Sequence, residues 1–203
     1  MTDTSSYGGS ERREHPDHDA YFNGQFEAEP VYLEPGKTLC GKSDDKMFVA
    51  TVGSGVVVSI YDDALNVGAA GYVLIPDALI DVFPHFDKAD EQMLERAFQP
   101  IIDCIGHMKR QGAAKKRLWV RLMGGMSLPG DRQDRGTKNY IFAREYITRK
   151  GIPVLNEDMG GPYIRRIHFF PGSGKAVRRM LRRDSDFEEM KIYEDKFQVS
   201  LKA

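Results

Sequence analysis

Residues 47–60, MFVATVGSGVVVSI, are the stretch on which the fold turns. The run is apolar and rich in β-branched side chains, and it is broken only by Gly53-Ser54-Gly55, so it reads as two strands meeting at a glycine kink. Val56-Val57-Val58 shows no polar alternation, as expected of a strand covered on both faces. Working outward, Val31-Tyr32-Leu33 reads as a short strand and Glu34-Pro35-Gly36-Lys37 as a turn. Downstream, Asp62-Asp63 and Asn66 to Gly68 read as a turn, and Tyr72 to Ile75 as a strand stopped by Pro76.

A helical period follows. Asp90 is placed to cap it, and Met93, Leu94, Ala97, Phe98, Ile101, Ile102, Ile105 and Met108 recur at helical spacing until Gly112. Pro100 inside this pattern is expected to kink or split the helix. Arg117 to Met123 reads as a strand ending at Gly124-Gly125, and Ser127 to Gly136 as a polar loop. Thr137 is the expected cap of a second helix through Tyr140, Ile141, Ala143, Arg144 and Ile147. Ile152 to Leu155, Ile164 to Phe170 and Lys175 to Leu181 read as strands, with Pro171-Gly172-Ser173-Gly174 as a hairpin turn. Strand-rich ends around two helices predict an α+β fold built on a mixed β-sandwich flanked by helices, occupying residues 26–183.

The chain has 203 residues, with 29 Lys and Arg against 30 Asp and Glu, so its bulk charge gives no support for nucleic-acid binding. No apolar run is long enough to enter a bilayer as a helix, no secretory leader is legible, and Cys40 and Cys104 are too few for a disulfide framework. A soluble cytoplasmic protein is the expectation. Residues 1–25 form a polar tail that buries too little apolar surface to offset its ordering entropy. His15, Asp17, His18 and Asp19 in that tail read as solvated side chains, and no metal site or cofactor is expected. Residues 184–203 mix charges with Phe187, Ile192, Tyr193, Phe197, Val199 and Leu201, which fits either a partner-binding appendage or a final packed element.

Two superficial motifs fail on inspection. Gly172-Ser173-Gly174-Lys175 has Phe169 where a phosphate loop needs its first glycine and Ala176 where it needs a hydroxyl. Gly124-Gly125 and Gly160-Gly161 follow strands without the spacing of a dinucleotide site, so each reads as a turn. As an ordered series the punctuation is specific. It runs Thr51-Val52-Gly53-Ser54-Gly55-Val56, then Val67-Gly68-Ala69-Ala70-Gly71-Tyr72-Val73-Leu74-Ile75-Pro76-Asp77. Leu122-Met123-Gly124-Gly125, Gly136-Thr137-Lys138-Asn139 and Asp158-Met159-Gly160-Gly161-Pro162-Tyr163-Ile164-Arg165 complete it. From about Tyr21 to Arg183 the series resembles the chemoreceptor glutamine deamidase (CheD) family.

The resemblance implies a fold similar to the cytotoxic necrotizing factor deamidases. It also implies a Cys–His pair, assisted by Thr, that hydrolyses receptor glutamine side chains to glutamate and ammonia. The implied partners are methyl-accepting chemotaxis receptors and, in some bacteria, a CheC-type phosphatase. Here the aligned nucleophile position is Gly55 and the aligned base position is Tyr72; the threonine falls on Thr51 if a one-residue gap is allowed and on an apolar residue if it is not. The turn residues Gly53, Ser54, Gly124, Gly125, Asn139, Gly160 and Gly161 are kept. Ser54 could replace the nucleophile, but strand alternation points it away from residue 55, and a tyrosine is a poor base at neutral pH. Cys40 with His85 and Cys104 with His107 are further rescues, the second weakened by an apolar helix face around Cys104. His168 reads as structural. The arginines at 165, 166, 178, 179, 182 and 183 read as a solvated strand edge before they read as a docking patch. A binding protein without deamidase activity is therefore expected, the alternative being an active deamidase with a non-aligned nucleophile.

Overall fold

A computed structural model describes residues 24–84, 91–128, 130 and 132–200. The strands are β1 (Glu29–Tyr32), β2 (Thr38–Gly41), β3 (Lys46–Val52), β4 (Val56–Asp62), β5 (Val67–Val73), β6 (Trp119–Gly124), β7 (Val154–Met159), β8 (Ile164–Phe169) and β9 (Ala176–Leu181). The helices are α1 (Asp77–Val82), α2 (Glu91–Arg110), α3 (Arg135–Arg149) and α4 (Asp184–Ser200), with a 3-10 turn at Lys115–Arg117. Two sheets form, ordered β1-β3-β8-β9 and β2-β5-β4-β6-β7. The β1–β3 and β6–β7 pairs are parallel and the others antiparallel, so the sandwich is mixed, as expected from the sequence.

Residues 47–60 do more than kink. β3 belongs to the four-stranded sheet and β4 to the five-stranded one, so Gly53-Ser54-Gly55 is the crossover between layers. Alternation along β4 then serves two cores. Val57 joins Phe48, Ala50, Val52, Tyr72, Met123, Ile167 and Phe169 between the sheets. Val56, Val58 and Ile60 face the other way, onto Ala97, Ile101, Cys104 and Met108 of α2 and Phe142, Ala143 and Ile147 of α3. This double cover is why every residue of β4 is buried and why its sequence lacks a polar face.

Several local expectations shift. β5 starts at Val67, so the turn before it ends at Asn66, whose φ of 48° is left-handed. α2 runs unbroken through Pro100. The proline forfeits one helix hydrogen bond, but tertiary packing compensates: its carbonyl accepts from Thr38 Oγ1 at 3.1 Å and its ring lies on β5 at Gly71. α3 begins at Arg135, two residues before Thr137, because Lys138 N already donates to Asp134 O at 3.1 Å. β7 lies further along the chain than expected, at Val154–Met159, where it pairs in parallel with β6. Strand β2 and helix α1 carried no clear sequence signal. Residues 184–200 form α4, a packed helix. The Asp90 cap, His85, and the tail with His15, Asp17, His18 and Asp19 lie outside the described residues.

Candidate functional site

The antiparallel register of β4 and β5 pairs Val56 with Val73 and Val57 with Tyr72, so Gly55 stands directly beside the Tyr72 ring. An added Cβ on Gly55 would lie 2.5 Å from Tyr72 Cε2 and 2.9 Å from the Val73 carbonyl oxygen. Gly55 is not among the residues with a left-handed φ, so its backbone would accept a side chain. What excludes one is the ring together with the Val73 carbonyl. Tyr72 is fully buried in the inter-sheet core, and its hydroxyl donates to the Thr51 carbonyl at 3.3 Å. The three positions singled out from the sequence, Gly55, Tyr72 and Thr51, therefore form one cluster. Thr51 enters it through its backbone.

The kept turns hold this cluster in place. Gly125 N donates to Gly55 O at 2.7 Å and Met126 N to Gly53 O at 2.8 Å, which ties the end of β6 to the crossover. Gly124 has a φ of 132° and lies so close to Gly55 O that a Cβ would stand 2.3 Å away; only glycine fits. Gly160 N donates to Gly124 O at 3.0 Å and Ser127 N to Gly161 O at 3.1 Å, adding the β7–β8 turn as a further layer. That turn is clamped by Arg165, which is 3% exposed and donates to Asp158 Oδ1 at 3.2 Å and to Gly160 O at 2.8 Å. Asn139, buried on α3, accepts from Ile75 N at 2.8 Å and donates to Arg135 O at 2.9 Å, fixing the chain just beyond Tyr72.

One wall of the site had no legible signal in the sequence. α4 lies over the crossover: Ser54 Oγ donates to Glu194 Oε2 at 2.7 Å, and Gly55 N donates to Glu194 Oε1 at 3.3 Å. Met190 packs on Gly53, where a Cβ would meet its sulfur at 2.5 Å. Gln198 donates to Ile75 O at 3.1 Å and accepts from Asp77 N at 3.1 Å. Burial pushes the Glu194 carboxyl above the ordinary carboxylate range, against the pull of Ser54, the backbone N–H groups of Gly55 and Ser54, and Arg135. Burial, and after it the Glu194 carboxylate, hold the Tyr72 hydroxyl well above the usual phenol range. It stays protonated near neutrality.

The expected alternation at Ser54 does not apply, because Ser54 sits in the crossover bend and not on a strand. Its hydroxyl and the Gly55 amide meet the same carboxylate. Cys40 on β2 pairs with Ala69, four residues along β5 from the Gly55 end. Cys104 is fully buried in α2 with its thiol pushed far up by burial, and His107 is pulled down by burial and then by Arg110 and Lys42. The structure does not bring Cys40, Cys104 or His107 to the site, and His168 is buried in β8 against Phe26. The arginine group divides. Arg165 and Arg166 are buried, and Arg178 on the edge strand β9 pairs with Asp158.

A protein-family model described as CheD chemotactic sensory transduction matches residues 88–180. A Laribacter hongkongensis protein described as a probable chemoreceptor glutamine deamidase CheD is 30% identical over 165 residues, covering 80% of this chain and 77% of that one. The chain belongs to the CheD family. A Bordetella avium protein of the same description is 28% identical over 179 residues, covering 87% and 76% of the two chains. A Neisseria meningitidis crystal structure of the DUF152 family overlaps 75% of this chain at a TM-score of 0.44 and 12% identity, a partial match of backbone. Among the described residues no helix is long and apolar enough to cross a membrane.

Proposed function

We propose that this CheD-family chain is a chemotaxis protein that engages helical segments of methyl-accepting chemotaxis receptors without deamidating them. The observation that carries this reading is the Gly55–Tyr72 contact. The position aligned with the nucleophile has no side chain, and the volume a cysteine would need is filled by the ring at the position aligned with the base. Glutamine hydrolysis through a thioester needs a thiolate, a base that returns its proton to the departing ammonia, and donors for the oxyanion. Among the described residues of the site, only the donors have counterparts, in the Ser54 hydroxyl and the Gly55 amide.

The protein acts in the cytoplasm on this reading, and a CheC-type phosphatase is a second partner that the family resemblance supplies. The receptor remains the first, because the donors beside Gly55 suit a carboxamide or carboxylate. The test is to incubate the full chain with a receptor cytoplasmic fragment carrying glutamine at its modification sites. Ammonia release and the mass gain of about one dalton per deamidated side chain are then followed, with binding measured in parallel. Binding without either signal is expected. Sustained turnover would overturn the proposal and favour an active deamidase with a non-aligned nucleophile.

A further inference from the structure

α4 presents Met190, Glu194 and Gln198 at four-residue spacing, which puts the three side chains on one helical stripe. Each meets a different part of the site. Met190 covers Gly53, Glu194 takes the Ser54 hydroxyl and the Gly55 amide, and Gln198 bridges Ile75 O and Asp77 N. A carboxylate and a carboxamide one turn apart on a helix are thus received by donors and acceptors on the body of the protein. The Ser54 hydroxyl can donate to a carboxylate or accept from a carboxamide, so this cradle reads both glutamate and glutamine side chains.

We propose that α4 is a resident ligand of the vestigial site, seated where an external helix bearing glutamate or glutamine side chains would bind, so that partner engagement requires α4 to leave. The inference rests on the receptor-binding reading given above and deepens it. The helix is held in a way that allows displacement. Met190 is its one buried residue, Phe187 and Phe197 pack half-buried on the body, Ile192 and Val199 are exposed at 52% and 67%, and a cavity of about 280 Å³ remains between α4 and the body. That cavity is lined by Ser54, Ile75, Asp77, Arg135 and Asn139 from the body and by Glu194 and Gln198 from α4. A helix docked through a few polar contacts and three apolar anchors, of which Met190 alone is buried, opens at a free energy below that of global unfolding. The bending of the chain at 182–184 after β9 returns α4 to the crossover, so the ligand is tethered and competes as an intramolecular one.

The experiment compares the full-length protein with Glu194→Ala and Glu194→Gln. Hydrogen exchange is followed over residues 184–200 and at Gly55, and binding is measured to the glutamine-bearing receptor fragment. Glu194→Ala should lower protection of α4 about tenfold or more and tighten fragment binding by a similar factor, since the competitor is weakened. Glu194→Gln, which keeps side-chain length and an acceptor for the Gly55 amide, should stay within about threefold of the parent in both. Unchanged α4 protection in Glu194→Ala would overturn the resident-ligand proposal. Lost protection with unchanged or weaker fragment binding would overturn the competition. Fragment binding by none of the proteins, with α4 protection lost in Glu194→Ala, would overturn the receptor reading and support the carboxylate latch.

Discussion

Gly55 and Tyr72 are coupled sterically, and the coupling has a measurable size. Replacing Gly55 by Ala adds one methyl group whose carbon would lie 2.5 Å from Tyr72 Cε2 and 2.9 Å from Val73 O, while both neighbours are buried. Neither the backbone nor a ring packed between two sheets can yield cheaply, so overpacking of about 1–3 kcal/mol is expected. Backbone preference works in the opposite direction: Gly→Ala at a φ that alanine can adopt is worth about 0.4–1 kcal/mol of stabilisation, so a net loss of roughly 1–2 kcal/mol should remain. With a urea slope of about 2 kcal/mol/M, the midpoint should fall by roughly 0.5–1 M. Tyr72→Phe retains Cε2 and should leave this penalty in place. Tyr72→Leu removes the ring edge but leaves the Val73 carbonyl, so in its background the Gly55→Ala penalty should shrink without vanishing. The double-mutant cycle should therefore give a coupling of about 1 kcal/mol for the Leu pair and near zero for the Phe pair. Equal penalties in all three backgrounds would refute the idea that the Tyr72 ring keeps position 55 glycine.

The Glu194 carboxyl, raised by burial, holds its proton more tightly in the docked state than in the unfolded chain. Its contribution is therefore fully present below the ordinary glutamate value of about 4.3 and is lost as pH rises through the raised value. The stability difference between the parent and Glu194→Gln should accordingly move against the parent from pH 4 to pH 8, as read from urea midpoints; a difference that grows in the parent's favour would contradict the sign. Asn139→Ala leaves the buried Ile75 amide without its acceptor and should cost about 1–3 kcal/mol in thermal or urea unfolding. Asp158→Ala strips the counter-charge from the buried Arg165 guanidinium and should cost about 3 kcal/mol, whereas Arg178→Ala, at the exposed edge, should cost under about 1 kcal/mol.

Much of the scaffold was legible because its signals are local. Glycines that must turn, such as Gly124 at a φ of 132°, and strands buried on both faces, such as Val56-Val57-Val58, mark themselves in a few residues. Their order along the chain carried the family resemblance. Where local signals were overridden, the cause is tertiary: Pro100 stays inside α2 because β2 and β5 hold it, and Ser54 escapes strand alternation because it lies in the crossover between sheets.

The sequence by itself determined the kind of fold, because turn chemistry and burial pattern act over neighbouring residues, and its resemblance to the CheD family implied the positions where a catalytic pair would stand. Only the tertiary structure decided that Gly55 and Tyr72 occupy one volume, and that Glu194, 139 residues along the chain from Gly55, closes the site. In α4, Phe187, Met190 and Phe197 share the docking face with Glu194 and Gln198, while Ile192 and Val199 point to solvent. Glu194 and Gln198 gain their meaning from what they touch, and a polar contact across such a separation leaves no periodicity in the chain to be read.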